Sequence, residues 1–368
     1  MKFFKINFFV LSLIGLMFNS ESYAQSEGSQ VSGGIEEIIV TARKKEEPLQ
    51  ETPVTITAIT SEKIQKLYAT DLQDIGMSVP NLIINTAASG SFGNSAAVFM
   101  RGIGNSDIDS TIDPPIGIFI DGVYVPRSSN SNLDLFDVEQ VEVLRGPQGT
   151  LFGRNTTAGA IVVRSKRPTG EFGAKARLTM GEYGRRDLRV AVEAPFSDTI
   201  SGKISVLQQK SDGFYKARYK THPNYSVPAQ MAIEYGGDYQ DTGGEDVFAV
   251  RPMLKFNPNE NFTLTLIGEY SKERSQPIPA INAATPTMVL SRVYDRPGTG
   301  YTNVGTYNFG PGYINADIKG LTVEAVWELE SGTLTSITNY RETEYQYKGE
   351  IDWTDAPMFG IVRTEPHE

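Results

Sequence analysis

From Gly173 onward, apolar and polar residues alternate with a period of two. Ala176, Leu178 and Met180 alternate with Lys175, Arg177 and Thr179, and Leu188, Val190 and Val192 with Asp187, Arg189 and Glu193. The pattern recurs at Ile204 and Val206, from Phe248 to Phe256, from Phe262 to Tyr270, from Leu321 to Leu329, and more weakly after Gly332. It predicts seven β-strands, each near the ~9–11 residues that cross a bilayer when tilted. A soluble sandwich alternates in the same way, so the connections must separate the two. Pro195–Asp198, Asn257–Glu260 and Glu330–Gly332 are short links, whereas residues 211–245 and 272–318 are long and rich in Tyr, Gly and Pro. Short turns on one side and long loops on the other are the arrangement of an outer-membrane barrel. The short Gly181–Gly184 link departs from it. Pro252 falls inside the fourth strand, where it cannot donate to the ladder, and a local bulge is expected there.

Upstream the pattern is shorter and mixed. Residues 53–60 alternate as a strand, and Ser61 is placed to cap a short helix with Ile64, Leu67 and Tyr68 on one face. Thr70 to Gln73 has the form of a capping box opening a second helix, which Pro80 stops. Residues 81–85 and 97–104 read as strands, and residues 117–125 as a hairpin turning at Asp121-Gly122. These elements predict a small α+β domain over residues 48–168, ahead of an antiparallel β-region over residues 169–368.

The N-terminus carries a different signal. Lys2 and Lys5 precede an apolar run from Phe8 to Phe18, too short to span a bilayer as a helix, and Ser22-Tyr23-Ala24 offers small residues for cleavage before Gln25. Residues 1–24 therefore read as a signal peptide. Residues 25–34 form a polar tether inside the flexible segment 25–47. Within it stands Glu37-Ile38-Ile39-Val40-Thr41-Ala42, whose β-branched run favours an extended chain. Such a segment is either an edge strand of the next domain or a strand offered to a partner by main-chain pairing.

Composition narrows the chemistry. There is no cysteine, so disulfides and thiolate metal sites are excluded, and the two histidines, His222 and His367, do not suggest a metal site or a catalytic dyad. A net charge of −10 argues against nucleic-acid binding. No nucleophile elbow, phosphate loop or zinc-protease motif occurs, so no enzyme and no cofactor are expected. The acidic stretch from Glu234 to Asp246 lacks EF-hand spacing and reads as a solvated loop rather than a Ca²⁺ site. Thirty-five glycines, 17 tyrosines and 18 phenylalanines suit a turn-rich, aromatic-girdled β protein.

Seven motifs in register from Pro53 to Pro168 resemble the plug domain of TonB-dependent outer-membrane receptors. They are the opening strand and helix, Val79-Pro80-Asn81, Met100-Arg101-Gly102-Ile103, Phe119-Ile120-Asp121-Gly122-Val123, Val143-Leu144-Arg145-Gly146-Pro147-Gln148-Gly149, Asn155 to Ile161, and Arg164 to Pro168. The resemblance implies that residues 37–42 are a TonB box, the contact with TonB and its inner-membrane energising complex. It implies a β-barrel in outer-membrane lipid of a Gram-negative bacterium, and energised uptake of a scarce small-molecule cargo, with a ferric siderophore as the default. Arg101 and Arg145 match plug arginines that pair with barrel glutamates in this family; ordinary surface exposure is the other reading for each. The tether is too short for an added signalling domain. Plugged transporters close with about 22 strands, so seven predict an incomplete barrel and the N-terminal part of a longer receptor. The competing class is an exported carbohydrate-binding or adhesin-type β protein with no TonB coupling.

Overall fold

The computed structural model describes residues 38–41, 43–85, 96–105, 112–126, 135–213, 215–218, 239–277, 304–306, 312–350 and 360–365. The predicted signal peptide and tether lie outside them, as do Glu37, Ala42 and residues 234–238 of the acidic stretch.

The first elements are β1 (Ile39–Val40), β2 (Glu47–Pro48), β3 (Ile56–Thr60), α1 (Ser61–Lys66), α2 (Leu72–Gly76), β4 (Leu82–Asn85), β5 (Ala97–Met100) and β6 (Ile103–Gly104). They are followed by β7 (Ile116–Ile120), β8 (Val123–Val125), β9 (Val138–Arg145), α3 (Gly149–Phe152) and β10 (Gly159–Ser165). A five-stranded sheet runs β3-β9-β10-β7-β8, with β10 parallel to β7 and the other neighbours antiparallel. A second sheet runs β4-β5-β6. One face of the larger sheet packs through Ile59, Val141, Val143, Ile161 and Ile118 onto Ile64, Leu72 and Ile75 of the helices and Met100 of β5. Leu144, Ala160, Val162 and Phe119 form a smaller cluster, with Phe152 and Tyr124 against it.

Local chemistry explains most of these boundaries. Asp121 and Gly122 both have positive φ, as the expected hairpin turn requires. Gly159 has no room for a side chain: a Cβ there would lie 2.3 Å from the Leu144 carbonyl oxygen and from Met100 Sδ. The helix caps differ from expectation by one residue. Thr60 rather than Ser61 caps α1, and Leu67 and Tyr68 lie beyond its end and are exposed, so only Ile64 of the expected face is buried. Asp71 caps α2 through Asp74 N (3.1 Å), while the Asp74 carboxylate accepts from Thr70 N and Oγ1 at 2.7 and 3.0 Å.

The second part is one antiparallel sheet of eight strands: β11 (Gly173–Met180), β12 (Arg186–Pro195), β13 (Ile200–Lys210), β16 (Asp246–Asn259), β17 (Phe262–Ser275), β19 (Tyr313–Leu329), β20 (Gly332–Glu350) and β21 (Gly360–Glu365). The seven expected strands are there, and β21 adds an eighth. The long links contain β14 (Tyr215–Arg218), β15 (Tyr239–Thr242) and β18 (Val304–Thr306), which make a small sheet of their own. Their order is β15-β14-β18, with β14 parallel to β18. Stretches that read as loops thus join across two connections.

No bulge forms at Pro252. The β16–β17 register passes from Val250↔Tyr270 to Met253↔Ile267 without a shift, and the irregularity falls instead between Phe256 and Asn259. Pro252 simply leaves its ladder position toward β17 unpaired.

Candidate functional site

Along the eight-stranded sheet the polarity is the reverse of a water-soluble sheet's, as a barrel in lipid requires. Leu178, Met180, Leu188, Ile204, Leu321, Trp327 and Tyr340 are exposed, whereas Asp187, Arg189, Lys203, Ser205, Thr265 and Thr322 are buried. Water cannot sustain such an array, but lipid outside and a filled interior can. Phe196, Phe262 and Trp327 stand by the short turns, the last two 4.6 Å apart between ring centroids, as an interfacial aromatic group. Among the described residues no helix is long and apolar enough to cross a membrane, which bears on helices alone.

The α+β part seats against the polar inner face. Arg167 Nη2 lies 2.5 Å from Glu324 Oε2 on β19, and its Nη1 lies 3.4 Å from Asp121 Oδ1. Lys203 Nζ on β13 meets Asp137 Oδ1 at 2.8 Å and donates to the Lys166 carbonyl. Ser205 Oγ donates to Asp137 Oδ2 at 2.5 Å, and Arg251 Nη1 on β16 donates to Ser165 Oγ at 2.9 Å. Asp121 also accepts from Ser165 N and Oγ, both at 2.9 Å. An apolar contact adds to these: Ala97 and Phe99 of β5 pack on Ile314, Ala316, Tyr345 and Tyr347.

Of the two arginines expected to join plug and wall, Arg145 donates to Thr57 Oγ1 (3.1 Å) and the Pro80 carbonyl (3.4 Å), inside the α+β part. Arg101 has φ of +53° and is exposed, with Nη1 beside Gly146. Among the described residues neither pairs with a carboxylate. On the plug side, Asp121, Ser165, Lys166 and Arg167 lie within two of the resembling motifs, though none was marked as a joining group, and Asp137 lies outside them all. On the wall side, Lys203, Arg251 and Glu324 read only as the polar phase of alternating strands.

Ile38 to Thr41 lies as an extended segment on this assembly. Ile39 and Val40 pair with Pro48 and Glu47, and Val40 is fully buried. Thr41 N and Oγ1 donate to Glu142 Oε1 on β9 at 2.9 and 3.0 Å, and Gln140 Nε2 donates to the Ile39 carbonyl at 3.0 Å. Lys44 Nζ stands 4.4 Å from the Phe152 ring centre and 5.4 Å from that of Phe119. Burial raises the Glu142 carboxyl above the usual carboxylate range, against the opposing effect of the Thr41 donors and Arg164. Glu142 was not marked by sequence as a site residue.

Residues 48–160 match the model of the TonB-dependent receptor plug domain. The chain thus carries a TonB-dependent receptor plug domain over residues 48–160. It is an outer-membrane protein of a Gram-negative bacterium, with the plug followed by antiparallel strands of a barrel wall. The vitamin B12 transporter BtuB of Vibrio vulnificus is 26% identical over 247 residues, covering 64% of this chain and 40% of that protein. The catecholate siderophore receptor Fiu of Escherichia coli K12 is 30% identical over 192 residues, covering 51% and 23%. The ferric yersiniabactin uptake receptor FyuA from Yersinia pestis shares the fold at a TM-score of 0.65 and 18% identity, over 80% of this chain and 42% of that one. The chain spans less than half the length of these curated relatives. They are named transporters and receptors, not enzymes.

Proposed function

We propose that the chain serves energised uptake across the outer membrane, with residues 37–42 as the TonB contact and a ferric siderophore as cargo. One observation carries this reading: Ile38–Thr41 is an extended segment held on the plug by a handful of bonds, N-terminal to the family-matched domain. Strand addition to TonB needs such a segment, and the inner-membrane proton-motive force then acts through it. Siderophore cargo is favoured by the likeness to the siderophore receptors Fiu and FyuA; the likeness to BtuB makes vitamin B12 the competing cargo class.

The domain reading follows from this function: leader 1–24, box-bearing segment 25–47, plug 48–168 and wall from residue 169. Arg101, exposed beside Gly146, is the better placed of the two plug arginines to reach a wall carboxylate, while Arg145 ties β9 to β3.

The test is uptake of labelled ferric catecholate and of cyanocobalamin by cells carrying the receptor, with and without TonB. Replacing Ile39 by Pro removes a backbone donor and fixes φ. It should abolish uptake while cargo binding persists. Full uptake by Ile39→Pro would overturn the box assignment, and uptake of cyanocobalamin alone would overturn the siderophore.

A further inference from the structure

The bonds around Ile38–Thr41 fall into two groups. Lys44 N to the Thr41 carbonyl, Leu49 N to the Ile38 carbonyl and the β1–β2 pairing are all internal to residues 38–49 and would move with them. The bonds that cross to the plug sheet come from β9. Gln140 Nε2 donates to the Ile39 carbonyl, and Glu142 Oε1 accepts from both donors of Thr41. Gln140 Nε2 also reaches Glu142 Oε1 at 3.1 Å, which couples the two side chains. Arg164–Glu46 at 3.6 Å, with Glu46 exposed, and Lys44 over the aromatic rings add weaker anchors.

The backbone groups engaged are telling. In an antiparallel strand, alternate residues turn both N–H and C=O to the same side. The Ile38 carbonyl points to the β2 side, so the Ile39 carbonyl and Thr41 N–H lie on the opposite, open edge. An added strand would bond to those groups. We propose that the side chains of Gln140 and Glu142 act as a surrogate strand, an amide donor and a carboxylate acceptor that fill the open edge of β1 and keep it from its partner.

The device is held near balance. Glu142 is fully buried, and its Oε2 has no hydrogen-bond partner among the described residues. The two Thr41 donors on Oε1 favour the docked arrangement, while the dry second oxygen opposes it, since an unpaired buried polar atom is costly. Undocking exposes the carboxylate to water and removes that cost. The edge is therefore shielded without being held tightly. Gln140 and Glu142 are positioning residues for coupling, and the partner's identity rests on the TonB reading above.

The full receptor in outer-membrane vesicles tests this with two readouts. Residues 1–368 hold no cysteine, so Ile39→Cys, with any cysteine elsewhere in the receptor replaced by serine, gives a single nitroxide site on an exposed position of β1. In cargo-free receptor, Gln140→Ala with Glu142→Ala should turn an immobilised spectrum mobile and tighten binding of the periplasmic domain of TonB at least ~10-fold. Glu142→Gln, which keeps an acceptor for Thr41 N–H, should stay immobilised. Gln140→Ala alone, should the double variant fail to assemble, should show the same changes at smaller size. Unchanged label mobility in these alanine variants, with cargo binding intact, overturns the surrogate strand whatever TonB does. Mobility that rises with TonB affinity unchanged keeps the surrogate strand and overturns the assignment of this edge to TonB.

Discussion

The ring of Pro252 occupies the space that a side chain on Gly268 would need: a Cβ on Gly268 would lie 2.9 Å from Pro252 Cγ. Proline on β16 and glycine on β17 are thus one feature. The strand accepts a residue that cannot donate to the ladder because its neighbour yields the volume.

Gly268→Val should therefore destabilise the wall by about 1–3 kcal/mol, the usual cost of overpacking. The check is the temperature at which the receptor loses its compact, heat-modifiable form on a gel. Pro252→Ala combined with Gly268→Val should recover most of the loss. Equal losses in the single and double variants would show that the two residues do not interact.

Arg167 and Glu324 fasten plug to wall while both are partly shielded from water, at 26% and 20% side-chain exposure. Glu324→Ala should loosen the plug by about 1–2 kcal/mol, the range for a charged hydrogen bond discounted for partial solvation. Hydrogen exchange of β10 and of the turn at Asp121 should rise, with exchange in α2 unchanged. A uniform rise over the whole plug would contradict a local fastening.

The main apolar cluster is drawn entirely from the α+β part, so residues 43–168 should fold on their own. Circular dichroism of that fragment should show one cooperative unfolding transition. Gly159→Ala should lower its midpoint sharply, because the added methyl meets the Leu144 backbone oxygen as well as a flexible methionine. A gradual, non-cooperative melt would mean that the wall supplies stability the plug lacks.

Docking of the N-terminal segment should depend on pH through Glu142. Its carboxyl is raised from about 4.5 in the docked state, so the docked state binds the proton more tightly than the undocked one. Docking is then strongest at acid pH and weakens as pH rises from about 4.5 through the raised value; above it the dependence is flat. A nitroxide at Ile39→Cys should report increasing mobility over that window, and Glu142→Gln should abolish the trend. A pH response that survives Glu142→Gln would assign it to another group.

The plug was legible because its signals are local. Asp121-Gly122 names its own turn, and Gly146, Gly153 and Gly159 punctuate a recognisable run. The wall was legible as alternation, and the short and long connections oriented it. The site was legible only in part. Ile38–Thr41 is marked by its β-branched run, but its clamp is not. Glu142 sits between Val141 and Val143 with no local pattern to mark it, and it is fully buried because a segment 101 residues upstream covers it. The small sheet of β14, β15 and β18 escaped for a similar reason: strands this short pair across distant connections and leave no periodicity of their own.

The order of the five-stranded sheet also sets where tension arrives. A pull on Ile39 first strips the side chains of Gln140 and Glu142 from the segment, then straightens residues 41–55 and reaches β3. That strand is five residues long, lies at one end of the sheet and is bonded within it only to β9. Traction thus meets the plug at an edge strand, while β9 and β10, each flanked on both sides, bear load last.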